Sequence, residues 1–270
     1  MVDNANSKKP KDNWANGDLY EQYVGRWSRL VAREFLKWLA VPAGSQWLDV
    51  GCGTGALSQT ILEVAEPTGI TALDRSDAFV EFARRQIADE RVRFEVGDAQ
   101  TLRSDNGPFD AIISGLVLNF IPQPEQALAG MRRVARKGAV VGAYVWDYAE
   151  GMQLMRHFWD AAVALDSKVA DLDEVRRFPH SRPEPLKELF QGAGFHHVEV
   201  IPIEVPTDFR DFEDYWSPFL GGQGPAPSYA MSLDEDARSA LRKRIHASLP
   251  IQPDGSIHLK ARAWGIKGIY

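Results

Sequence analysis

The ten residues QWLDVGCGTG, Gln46 to Gly55, constrain this chain more than any other stretch. Apolar residues lead to an acidic position and then to glycines at 51, 53 and 55. That order predicts a buried strand ending at Asp49, a tight turn over Gly51 to Gly55, and a helix starting near Thr54. Gly51 and Gly53 let the backbone take tight dihedrals and approach a ligand closely. The following helix offers free N–H groups at its start. A ligand with polar groups and a long flat body is expected to lie across the turn.

The rest of the chain repeats this rhythm. GITALD predicts a second strand ending at Asp74, with Ser76 or Asp77 capping the next helix. A third strand over Arg91 to Val96 runs into Gly97-Asp98-Ala99, and a fourth, Phe109 to Ile113, into Ser114. A helix from Pro124 to Arg136 and a fifth strand, AVVGAYVW, complete the series. Strands alternating with helices of this length indicate a mostly parallel α/β sheet with right-handed crossovers. Its ligand side is the carboxyl edge, where Asp49, Asp74, Asp98 and Ser114 all fall.

Both ends break the pattern. Residues 1–13 are polar and expected to be mobile. From Trp14 to Ala40 aromatic and aliphatic residues recur at helical spacing, with Gly25 a break between two short helices. Beyond strand five the reading is a helix over 151–170, a loop over 171–185, a short helix over 184–192 and a strand over 195–205. A helix from about Leu233 to Ser248 and a last alternating strand follow. The expected organisation is a single domain over 14–270, with 147–182 and 207–249 as cap segments on the substrate side.

Composition narrows the function. A formal net charge of -6 gives no general attraction to phosphate backbones or anionic membranes. The basic clusters Arg132-Arg133 and Arg242-Lys243-Arg244 read as solvated helix faces. No apolar run reaches membrane-spanning length, and the amino terminus lacks a secretory apolar segment. A single cysteine, Cys52, excludes an internal disulfide and a multi-cysteine metal site. No carboxylate–histidine cluster has metal-ligand spacing, so no metal is expected. Cytoplasm is the expected compartment.

Asp74 stands about a score of residues past the glycine turn, where a carboxylate can accept both hydroxyls of a ribose. Taken alone it fits a nicotinamide dinucleotide equally well, since Gly51 to Ala56 also satisfies a loose GxGxxA pattern. Three features favour an adenosine ligand with an amino-acid tail and a positive sulfur. Asp49 puts negative charge where a pyrophosphate would lie. Asp98 and the Ala99 N–H suit an adenine edge. The chain ends in an alternating strand after an insertion, without a second glycine-turn half.

LDVGCGTG, with ALDRSDAFVEFARR, GDAQ and FDAIISGLVLNFIPQPEQALAGMRRVARKGAVV, resembles the class I S-adenosylmethionine-dependent methyltransferases. The likeness is greatest to small-molecule enzymes of the ubiquinone and menaquinone type, and it covers roughly residues 20–145. It implies a Rossmann-like seven-stranded sheet in the order 3-2-1-4-5-7-6, with the last strand antiparallel. It implies S-adenosyl-L-methionine as cofactor, with Gly51, Gly53 and Gly55 along its methionine and ribose portions and Asp49 beside them. Asp74, with Arg75 next to it, would hold the ribose, Asp98 and Ala99 the adenine, and the Ser114 carbonyl the methionine amine. Arg26, in YEQYVGRWS, would sit near the methionine carboxylate. Where many relatives carry histidine after the fourth strand, this chain has Asn119 and Phe120, so an imidazole base is not available there.

The expected activity is methyl transfer to an O, N or C atom of a small, largely apolar or aromatic acceptor. The sulfonium already makes the methyl group electrophilic, so alignment and exclusion of water do most of the work. Should a base be needed, the candidates are His180, Asp147 and Glu150. Tyr20, Tyr23, Asn119, Phe120 and Trp146 are candidate acceptor-pocket residues. The alternatives are an NAD-dependent oxidoreductase and a noncatalytic cofactor-binding protein of the same fold. The residues do not choose between monomer and homodimer.

Overall fold

The computed structural model describes residues 21–103, 107–222 and 224–270. The expected mobile tail at 1–13 and Tyr20 lie outside the described residues. A π-helical turn, Glu21–Gly25, runs directly into helix α1, Arg26–Leu39. Gly25 has helical dihedrals (φ -59°, ψ -38°), so the expected break there does not occur. Helix α1 buries Val31, Phe35 and Leu39, the every-fourth stripe read from the sequence, and stops at Ala40 in a left-handed conformation.

Strands β1 (Gln46–Val50), β2 (Gly69–Asp74), β3 (Val92–Val96), β4 (Phe109–Gly115) and β5 (Ala135–Trp146) are parallel. Strands β6 (His196–Phe209) and β7 (Ile257–Ile269) complete the sheet. The order is β3-β2-β1-β4-β5-β7-β6, with β7 antiparallel to both neighbours. Helices α2 (Ala56–Val64), α3 (Asp77–Gln86) and α4 (Pro124–Val134) are the crossovers. Alternate residues enter different cores: Trp47, Ala111 and Ile113 pack with α1, α2 and α3, whereas Leu48, Val50 and Ile112 pack with α4. That division is the period-two geometry of a sheet covered on both faces.

Several boundaries differ from the sequence reading, and two of them have a clear cause in the sheet. Helix α4 ends at Val134 because Ala135 already pairs with Phe109, placing Arg136 and Lys137 in β5. Strand β6 continues four residues past Val205, with Thr207 and Phe209 buried and paired to Leu259 and Ile257. The polar letters of PTDF look like a loop only until β7 lies beside them.

The remaining helices are α5 (Gln153–Leu165), α6 (Glu174–Arg177), α7 (Pro183–Gly192), α8 (Phe212–Trp216), α9 (Pro225–Ser232) and α10 (Glu235–Ser248). Helix α6 lies inside the stretch expected to be loop. Helix α7 packs its Leu186, Leu189 and Phe190 with α4. The others gather over the carboxyl edge around Phe158, Tyr215 and Phe219, joined by Tyr23 and Trp27. Tyr23 and Phe219 meet edge-on at 5.5 Å, as do Trp27 and Phe209. Among the described residues no helix is long and apolar enough to cross a membrane.

Asp147, expected as a possible base, instead ties the end of β5 to β7. It is 2% exposed, accepts from Arg262 Nε at 2.7 Å, and accepts the Ala149 and Glu150 N–H groups. Glu150 lies out in solvent, 3.6 Å from Arg262. Arg262→Met strands a buried carboxylate and is expected to cost about 3–5 kcal/mol of folding stability. Urea unfolding of the variant beside wild type checks this, and an unchanged midpoint would refute the structural role.

Candidate active site

Backbone hydrogen bonds bind the glycine turn to the end of β2. The Leu73 carbonyl accepts from both the Gly51 and Cys52 N–H groups, at 2.7 and 2.9 Å. Asp74 accepts the Gly53 N–H at 3.0 Å on Oδ2 and the Ser76 N–H at 2.8 Å on Oδ1. Gly51, Gly53 and Gly55 all have positive φ, between 52° and 88°. A Cβ on Gly51 would stand 2.5 Å from Val117, and one on Gly55 would stand 2.8 Å from Ile87. A Cβ on Gly53 would meet nothing within 4 Å, because that residue faces open space.

That space is a cavity of about 420 Å3 at the carboxyl edge. Gly51, Gly53, Asp74, Arg75, Asp98 and Ala99 line it, as do Gly115, Leu116, Phe120 and Tyr144 from the fourth and fifth strand ends. Asp98 caps a 3-10 turn over Ala99–Thr101, and its Oδ1 accepts the Gln100 N–H at 2.9 Å. Arg75 stands 3.6 Å from the other Asp98 oxygen. Two carboxylates on adjacent strand ends thus face one crevice, Asp74 held by two backbone N–H groups and Asp98 by one, each with lone pairs to spare. Burial raises the Asp74 carboxyl pKa, while the Ser76, Gly53 and Arg75 N–H groups oppose the rise.

Asp49 sits behind the wall, fully buried. Its Oδ2 accepts from the Ser58 hydroxyl at 2.7 Å, and its Oδ1 has no partner among the described residues. Burial lifts its pKa from 3.8 to about 7, opposed by the Ser58 hydrogen bond and reinforced by Asp74. Gly55 also lies behind the cavity wall, against Ile87 and Ala83. Ser114 is inside β4, donating its hydroxyl to the Val50 carbonyl at 2.8 Å; Gly115 and Leu116 border the cavity in its place. Burial, with Asp49 and Asp74 nearby, pushes the Cys52 thiol well up, which disfavours a nucleophilic thiolate.

Arg26 is elsewhere. Its guanidinium pairs with Asp214 at 3.0 Å and lies over the rings of Trp27 and Phe209, linking α1 to α8. An arginine among aromatics looked suited to a carboxylate, and it does hold one, supplied from 188 residues away along the chain.

A second, much smaller cavity of about 20 Å3 adjoins the first, sharing Leu116 and Phe120 with it. Tyr23 and Trp146 line it, together with Tyr148, Met155 and Glu174. Leu116 holds a left-handed backbone (φ 61°), uncommon outside glycine, between the two spaces. Asn119 borders neither cavity, and its Oδ1 is buried without a partner among the described residues. His180 likewise borders neither, with Nδ1 buried and unpartnered among the described residues.

Sequence reasoning missed Glu174 and Leu116. The run ADLDEVRRF reads as a polar loop, and no periodicity marks Glu174 as buried. One further grouping, Ser256–His258–Asp208, has contacts of 3.2 and 2.8 Å but lies on the exposed end of the paired strands β6 and β7, and borders neither cavity. Its serine also donates to Asp254 at 2.7 Å. Among the described residues no cluster could hold a metal ion.

Residues 48–138 match the family described as a methyltransferase domain. The chain is 27% identical over 207 residues to demethylmenaquinone methyltransferase of Staphylococcus aureus, covering 72% of this chain and 84% of that enzyme. It is 38% identical over 172 residues to a 37.1 kDa protein in transposon TN4556 of Streptomyces fradiae, spanning about half (48%) of that protein. The fold is shared with YcgJ of Bacillus subtilis (TM-score 0.58, 17% identity, 89% of this chain and 97% of that one). It is shared too with phosphoethanolamine N-methyltransferase 2 of Haemonchus contortus (TM-score 0.58, 15% identity, 95% of this chain and 57% of that one). By its glycine turn, its sheet order and these matches, the chain is related to the class I S-adenosylmethionine-dependent methyltransferases. Within that class it is related, at moderate identity, to the small-molecule, menaquinone-type enzymes.

Because the Asp49 pKa is raised on folding, the neutral acid is the form the native state prefers. Its stabilisation is full below about pH 4 and is lost as pH rises through about 7. Asp49→Asn should therefore flatten the fall in Tm between pH 4 and 7 relative to wild type. Parallel slopes in a thermal series would show that Asp49 is not the group responsible.

Proposed function

We propose that this chain moves a methyl group from S-adenosyl-L-methionine to a small, largely apolar, ring-bearing molecule in the cytoplasm. The observation that carries the proposal is the pairing of Asp74 and Asp98 on adjacent strand ends across the open face of Gly53. The site fits the cofactor on its own geometry. Gly53 leaves room that a side chain would fill, and a cavity of about 420 Å3 is of the size that small ligands occupy. Asp74 and Asp98 make the rim acidic, which suits a sulfonium and opposes the pyrophosphate of a nicotinamide dinucleotide.

When bound, the cofactor supplies an electrophilic methyl group. In this reading the free lone pairs of Asp74 accept the ribose hydroxyls, while Arg75, Asp98 and the Ala99 N–H frame the adenine. Gly51 and Gly53 lie under the methionine portion. Gly55, Asp49 and Ser114 shape the turn from behind. Phe120, Leu116 and Tyr144 close the far end of the cavity, where the acceptor enters. Tyr23 and Trp146 extend that apolar lining into the smaller space. Residues 147–182 and 207–249, with α1, are the cap of one domain that keeps water away from the transfer. The similarity to the demethylmenaquinone methyltransferase of Staphylococcus aureus supports a quinone-type ring as the acceptor scaffold.

Calorimetry with S-adenosylhomocysteine and with NAD tests this assignment. Binding of the first and none of the second is expected, and the reverse would overturn it. Asp74→Ala removes charge-assisted hydrogen bonds of about 1.5–3 kcal/mol each, so S-adenosylhomocysteine affinity should fall at least tenfold. Unchanged affinity would place the ribose elsewhere.

A further inference from the structure

The mechanism as it stands leaves one buried acid unused. Glu174 is 1% exposed, at the start of α6, and borders the small cavity next to Leu116 and Phe120. Its Oε2 accepts the Trp159 indole N–H, while its Oε1 has no partner among the described residues. Arg156, whose charge acts on Glu174, is committed to Asp173 at 2.6 Å, and among the described residues no ion pair joins Glu174 to a cation. An unsatisfied carboxyl oxygen buried in an apolar wall is costly, and such groups persist where a ligand completes them.

We infer that Glu174 Oε1 is the polar contact for the methyl acceptor, and that the acceptor carries a hydroxyl on its ring. This rests on the methyl-transfer reading above and names the acceptor class within it. A space of about 20 Å3 admits a single oxygen at the tip of a larger molecule lying against Phe120 and Leu116. It does not admit a substituted ammonium with its cage. The nearby rings are engaged with one another, Tyr23 with Phe219 and Phe120 with Phe178, and the Tyr23 hydroxyl is given to Met155 Sδ at 2.8 Å. Among the described lining residues, Glu174 Oε1 is the buried polar atom left without a hydrogen-bond partner.

The carboxyl can do more than hold the hydroxyl. Burial lifts its pKa from 4.5 to about 8; its own backbone N–H opposes the rise, Asp173 beside it adds to it, and the Trp159 hydrogen bond and Arg156 oppose it further. Tyr23 and Tyr148 complete the titratable groups around it. Near that pH the ionised Oε1 takes the hydroxyl proton: the acceptor's O–H bond breaks with its electron pair left on oxygen, and a new O–H bond forms on Glu174. A base whose pKa lies near working pH is the efficient kind.

The test uses protein saturated with S-adenosylhomocysteine, titrated by calorimetry with phenol and with toluene, its hydroxyl-free counterpart. Wild type should bind phenol at least tenfold more tightly than toluene, and Glu174→Leu should remove that preference. Glu174→Gln keeps a hydrogen-bonding group and should keep the preference. It should lose the rise in phenol affinity between pH 7 and 9, up to about tenfold in wild type as the ionised fraction grows. Thermal unfolding verifies that both variants are folded; if the Leu variant is not, the pH profile of the Gln variant decides. Equal binding of phenol and toluene by wild type, or a pH rise retained in the Gln variant, overturns the inference. Loss of S-adenosylhomocysteine binding by wild type would instead overturn the function proposed above, so the two failures are distinguishable.

Discussion

Everything at the carboxyl edge depends on the junction between the end of β2 and the glycine turn. The Leu73 carbonyl takes two backbone N–H groups from the turn, and Asp74 takes a third. A turn with three positive-φ glycines has many conformations to lose, and these bonds to a buried strand select one of them. The same contacts set Asp74. Its two oxygens are oriented by Gly53 and Ser76, and a carboxylate held this way meets a ligand with little further ordering to do. Site and scaffold share one set of hydrogen bonds.

A second constraint is the aromatic packing of the segments around Phe219. Three separated parts of the chain converge there: the turn and helix before β1, the segment after β5, and the segment after β6. Their aromatic residues pack on one another around Phe219, and Tyr215 donates to the Leu154 carbonyl at 2.8 Å. Arg26 closes the assembly from the side by meeting Asp214. Water excluded in this way strengthens the electrostatic interactions beneath. Burial is also the first cause of the raised Glu174 carboxyl beneath these rings.

The fold was legible because it rests on local signals. Short apolar runs leading to Asp49 and Asp74, an alternating run leading into Asp98, helices of about ten residues between them, and a final alternating strand specify a doubly covered sheet. The positions of Gly51, Gly53, Asp74, Arg75, Asp98 and Ala99 at one cavity were legible for the same reason: strand ends must share an edge. Arg26 was placed with the cofactor because its aromatic company suited an anion, and the anion is Asp214. Asp147 and Glu150 were near enough in sequence to serve the edge, yet Arg262 from β7 engages them.

The sequence by itself determined the strand–turn–helix unit, the order of the sheet through the resemblance it carries, and the acidic rim. Each of these follows from neighbours within a few residues or from strand polarity. Only the tertiary structure decided what lies against the rim. Tyr23 touches Met155 across 132 positions, Arg26 meets Asp214 across 188, and Glu174 is buried by segments that bear no local mark of it. Burial and pairing at such separations depend on how distant pieces pack, and no period or turn signal in a single stretch encodes that.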